Sequence, residues 1–71
     1  MEIEVKDFLV YVIELCADEF FNGDKSSAYS VLKKHGLLDF YKDTYETSHT
    51  LSSAYILEEI SENINKERIA V

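Results

Sequence analysis

Not one proline occurs in this chain, and Gly23 and Gly36 are its only glycines. Proline and glycine are the strongest local breakers of regular backbone, so three uninterrupted stretches remain around and between the two glycines. Strand-like alternation of apolar and polar residues never persists in them, whereas apolar residues recur at three- and four-residue spacing. The pattern predicts an all-α chain, a compact bundle of about four helices over about 4–21, 25–35, 38–48 and 53–68, forming one domain across 1–71.

Seventy-one residues bury about 60% of the surface that the unfolded chain exposes. The core is therefore thin, and a partner or a second copy can supply a sizeable share of the stability. An apolar fraction of 46%, with five tyrosines and four phenylalanines, is nevertheless far above that of a disordered tail.

In the first helix Val5, Phe8, Leu9, Val12, Ile13, Cys16 and Phe20 share a face, with Asp7, Glu14 and Asp18 opposite. Val10, Ala17 and Phe21 fall beside the acidic stripe, which widens the apolar arc and leaves a flank to be covered or exposed. Asp24 is placed to cap the second helix, in which Ala28, Val31 and Leu32 face inward, and Lys33-Lys34-His35-Gly36 reads as its stop. The third helix presents Leu38, Tyr41 and Tyr45, with Leu37 and Phe40 alongside, and Ser48 to Ser53 form a turn with capping hydroxyls. The last helix carries a narrow stripe of Ile56, Leu57, Ile60 and Ile64, with Glu62 and Lys66 spaced for a surface pair and Tyr55 and Ile69 pointing away.

Charge narrows the function classes. Fourteen acids against seven bases give a net charge of −7, which repels phosphate backbones and anionic lipid. A helix-turn-helix reading of the second and third helices meets the same objection, because the third carries Asp39, Asp43 and Glu46 against Lys42 alone. Neither nucleic acid nor membrane is expected as a partner. The opening Met1 to Asp7 has acids where a secretory signal has cations, and the longest apolar run, Phe8 to Ile13, is far short of a bilayer span. A cytoplasmic location is expected.

Chemistry is scarce. Cys16 lies among Leu9, Val12, Ile13 and Phe20 and reads as core packing, with no basic neighbour to activate it. Glu46 and His49 have the spacing of one half of a di-iron Glu-x-x-His unit, which only a dimer contributing Glu14 from each chain would complete. The plainer reading makes Glu14 a solvated acid and His49 a turn-organising residue that bonds a nearby carbonyl or hydroxyl. No phosphate loop, nucleophile elbow or paired-carboxylate cleft is present. The expectation is a chain that is not an enzyme and takes no cofactor or metal.

Tyr11, Tyr29 and Tyr55 lie off the cleanest core stripes, and tyrosine is favoured at protein interfaces. Together with Val10 and Phe21 they are the candidate protein-interaction residues. In a small bundle the same tyrosines also serve as a rim over the core with the hydroxyl in water.

The runs Lys33-Lys34-His35-Gly36-Leu37-Leu38-Asp39-Phe40-Tyr41, Tyr45-Glu46-x-Ser48-His49-Thr50 and Tyr55-Ile56-Leu57-Glu58-Glu59-Ile60 resemble a family of short, all-helical bacterial domains of unknown function. Ser48 departs from the leucine that family has before the histidine, and Ser52 from its glycine. Such domains are often encoded beside larger proteins resembling ADP-ribosyltransferase toxins, so the resemblance implies an antitoxin, an immunity factor or an accessory protein. The leading expectation is thus a cytoplasmic interaction module for a basic or toxin-like protein. The second is a self-associating homodimer built on the wide face of the first helix, and the third is a metal-binding helical dimer.

Overall fold

A computed structural model describes the backbone of residues 3–69 and the side chains of residues 4–65. It contains α1 (Ile3–Phe20), α2 (Lys25–Lys34), α3 (Leu37–Asp43), α4 (Tyr45–Ser48) and α5 (Ser53–Ile69), with no strand among the described residues. The architecture is all-α. The Glu62–Lys66 pair and the direction of Ile69, both anticipated from spacing, involve side chains outside the described residues.

Helix α1 is the hub, lying against α2, α3 and α5, while α2 also meets α3. It supplies Phe8, Val12, Cys16 and Ala17 to a core completed by Ala28 and Leu32 of α2, Leu37 and Tyr41 of α3, and Ile56 and Ile60 of α5. Leu9, Ile13, Leu38, Tyr45 and Ile64 pack on its edge, half-buried. Each fully buried aliphatic side chain contributes about 1.5–3 kcal/mol relative to exposure, so a handful of these residues decides whether so short a chain folds.

Local chemistry sets the helix ends. The Asp24 carboxylate accepts from the amides of Ser26 and Ser27 at 3.1 and 3.2 Å and from the Ser27 hydroxyl at 2.8 Å. These bonds, that of the Ser27 hydroxyl foremost, hold its carboxyl below the usual range. A depressed carboxyl contributes stability above the unfolded value of about 3.9 and loses it as pH falls through the folded one. At the other end of α2, Gly36 adopts φ 72°, the left-handed conformation that stops the helix, and its carbonyl then accepts from Phe40 N at 3.1 Å to start α3. Ser52 caps α5 by accepting from the Tyr55 amide at 3.2 Å.

Five details differ from the sequence pattern. The stretch expected as one helix over 38–48 is two, because Thr44 (φ −105°, ψ 20°) leaves the helical region. Its hydroxyl donates to Phe40 O at 2.7 Å and lies 2.7 Å from the Ser48 hydroxyl, so a side chain competes with the backbone for the same groups. Phe20, assigned to the core face of α1, is 38% exposed, and Phe21, assigned to the flank, is half-buried against the core. The helix ends between them: Phe21 N and Gly23 N both return to Ala17 O at 3.0 and 2.9 Å, and Asn22 takes a positive φ of 54°. Ala17, also assigned to the flank, is fully buried where this turn folds back. Phe40, placed beside the core, is 43% exposed.

Two substitutions test this account by urea unfolding. Ile60→Ala should cost about 2–5 kcal/mol, as expected for a buried aliphatic whose space does not refill. Gly36→Ala should cost about 1 kcal/mol, all of it from the left-handed backbone, because a Cβ there meets nothing within 4 Å.

Candidate functional site

The residues singled out from the sequence do not form one patch. Val10 and Tyr11 are exposed on α1, and the Tyr11 ring lies 6.4 Å from Phe8. Phe21 lines a hollow between the ends of α1 and α5, with Phe20 and Ile64. Tyr29 lines a groove between α1, α2 and α3, and Tyr55 stands on α5 among glutamates.

The α5 face is the more sharply charged of these surfaces. Tyr55, 54% exposed, shares a hollow of ≈ 160 Å³ with Glu58, Glu59 and Glu62, which recur at helical spacing. Glu59 also borders a second hollow lined by His35, Leu37, Phe40 and Asn63. Glu59 is thus common to two hollows, with exposed Tyr55 in one and exposed Phe40 in the other. Glu59 is held in place from below, since the Tyr41 hydroxyl donates to its Oε1 at 2.6 Å.

Tyr41 is wholly buried, with Phe8 set edge-on at 6.1 Å and Phe40 at 5.2 Å. Burial, and then the Glu59 hydrogen bond and charge, push its hydroxyl pKa well up. Burial likewise pushes the Cys16 thiol up to about 11, so this cysteine is an inert packing group at neutral pH.

The groove between α1, α2 and α3 has the opposite character. Leu9 and Ile13 of α1 and Leu38 of α3 form an apolar floor, Tyr29 a wall, and Lys33, Lys42 and Asp39 the rim, around ≈ 280 Å³. The Lys33 ammonium lies 5.9 Å from the centre of the Tyr29 ring, within range of a cation–π contact.

His49 sits at the end of α4. Its Nδ1 donates to Tyr45 O at 2.6 Å while its own amide donates to the same carbonyl at 2.9 Å, and its ring stacks on Tyr45 at 4.5 Å. Its side chain thus closes a turn and fixes the ring that packs against Phe8 at 5.7 Å. Glu46 is exposed on the same short helix and Glu14 on α1. Among the described residues no three His, Cys, Asp or Glu side chains come together as a metal would require. Every buried polar side-chain atom there has a hydrogen-bond partner, and no helix is long and apolar enough to cross a membrane.

The span from Asp7 to Glu67, which takes in the whole core and both surfaces, matches one family model. The chain belongs to the family described as "Protein of unknown function (DUF3791)". No curated protein and no solved structure matches it. In this family member Ser48 is buried, its hydroxyl satisfied by Thr44, and Ser52 is the α5 cap, so both positions have defined structural work.

Phe40 and Phe20 were missed as surface aromatics, although a signal existed. Phe20-Phe21, Leu37-Leu38 and Phe40-Tyr41 are adjacent pairs, and neighbours on a helix point about 100° apart, so both members seldom reach one core.

The raised acid groups give a signed pH dependence. A group whose folded pKa lies above its unfolded one stabilises below the unfolded value and loses that contribution as pH rises through the folded value. Stability should hold up to about pH 8.5, the ordinary thiol value, then fall as Cys16 is titrated toward about 11, with Tyr41 adding to the loss above about pH 10. Urea unfolding followed by circular dichroism should show a shallower alkaline decline in Cys16→Ala and in Tyr41→Phe.

Proposed function

We propose that this chain is a protein-interaction module whose docking surface is the Tyr55 face of α5. The observation that carries the reading is Tyr55, 54% exposed, sharing a hollow with the Glu58, Glu59 and Glu62 carboxylates, with exposed Phe40 in the adjoining hollow that Glu59 also borders. Exposed tyrosines are anchors of binding energy because they bury much apolar area with few rotatable bonds. Carboxylates around such an anchor select a basic partner and speed its encounter. The burial of Tyr41 pre-sets Glu59, so less side-chain freedom is lost on docking.

The partner favoured is a basic segment of a larger, toxin-like protein in the cytoplasm, with this chain as antitoxin, immunity factor or accessory subunit. That choice rests on the family resemblance, while the charge preference rests on the face itself.

The test is binding of the purified chain to the product of the adjacent gene, measured by calorimetry. Tyr55→Ala should weaken binding at least about tenfold, and Glu58→Lys with Glu62→Lys should slow association, with helicity unchanged in both. Full-strength binding by these variants would remove the α5 face from the interface, and no binding to that product would end the antitoxin reading.

A further inference from the structure

The two charged surfaces complement each other. The groove between α1, α2 and α3 has an apolar floor and a rim of Lys33, Lys42 and Asp39, net positive on a chain whose net charge is −7. The α5 face offers an exposed tyrosine followed along the helix by three carboxylates. Leu38 and Lys42 line the groove, whereas Phe40 borders the hollow that adjoins the Tyr55 face at Glu59. Phe40 lies about 160° from both round the α3 helix, so the two surfaces occupy opposite sides of α3 and cannot meet within one molecule.

We propose that the groove receives the Tyr55 face of a second copy of this chain, head to tail. Tyr55 enters the groove with its ring on Leu9, Ile13 and Leu38. Glu58 and Glu62, one and two turns further along α5, meet Lys33 on the α2 wall and Lys42 on the α3 wall. Asp39 on the same rim disfavours a third carboxylate there and helps set the register. At 0.15 M salt the Debye length is about 8 Å, well below the 22 Å thickness of the molecule. The net −7 of each copy is therefore screened far more than the direct pairs. Such a contact leaves a free groove at one end and a free face at the other, so it extends rather than closing as a dimer. It confines the α1 share of the self-contact to Leu9 and Ile13 in the groove floor and sets α5 against it, in place of two copies pairing through the wide face of α1. The inference rests on the reading of the Tyr55 face as a docking surface, and a Tyr55 face held in another copy's groove is closed to a partner, so the two compete for each face.

Sedimentation velocity of the purified chain at 0.15 M salt, from about 10 μM to about 1 mM, reads the proposal directly. The weight-average mass should rise with concentration and pass the dimer. The double variants K33E/K42E and E58K/E62K should each stay monomeric with unchanged helicity, and their equimolar mixture should associate again, because each restores the charge the other reversed. A wild-type chain that stays monomeric throughout, or a K33E/K42E variant that associates like wild type, would overturn the proposal. Binding of the adjacent gene's product through Tyr55 by a chain that is monomeric at every concentration would sink this inference and leave the docking role of the α5 face standing.

Discussion

The buried hydroxyl of Tyr41 has to be satisfied, and the way it is satisfied organises the rest of the molecule. A tyrosine ring wholly withdrawn from water brings a large apolar payload, but an unpaired hydroxyl would cancel part of it. The donor finds Glu59 on α5 at 2.6 Å, while the ring edge meets Phe8 of α1. One side chain from the short α3 thereby ties the hub helix to the last helix. Phe8 in turn contacts Tyr45, whose orientation is fixed by the stacked His49. Core, turn and surface carboxylate form one connected set, so the position of Glu59 on the α5 face follows from packing beneath it.

Much of this was legible in the residues themselves. The absence of proline, the two glycines and the three- and four-residue spacing define an all-α chain, and Val12, Cys16, Leu32, Ile56 and Ile60 are buried as their spacing requires. Asp24 and Gly36 mark a helix start and stop through local chemistry that needs no tertiary information, and they perform it. What spacing did not resolve lies where a helix ends or where a hydroxyl competes with the backbone. A wheel drawn through Phe20 and Phe21 assumes that the helix continues, but the Asn22–Gly23 turn ends it and exchanges their environments. Thr44 breaks the third helix through a bond to Phe40 O that propensity alone does not weigh.

The surfaces were legible as residue types and not as places. Off-stripe tyrosines could be picked out singly, but the approach of Phe40 to the Glu59 side of α5 depends on tertiary contacts, the Tyr41–Glu59 bond among them. The lysine-rimmed groove was invisible for the same reason, since it draws on Leu9, Tyr29 and Lys42 from three helices. Long-range assembly of this kind has no local signature.

A chain this thin has little interior to devote to chemistry. The one buried thiol is pushed away from reactivity, the buried hydroxyl of Tyr41 is engaged, and that of Ser48 is bonded to Thr44. The unspent groups lie outside: exposed rings such as Tyr55, and a lysine-rimmed groove set apart from the Glu58, Glu59 and Glu62 face of α5. Leaving apolar area in water costs free energy that a domain of 71 residues can ill spare. Covering Tyr55, Phe40 and the groove floor would recover that cost, which is why the proposed docking surfaces bear on stability as well.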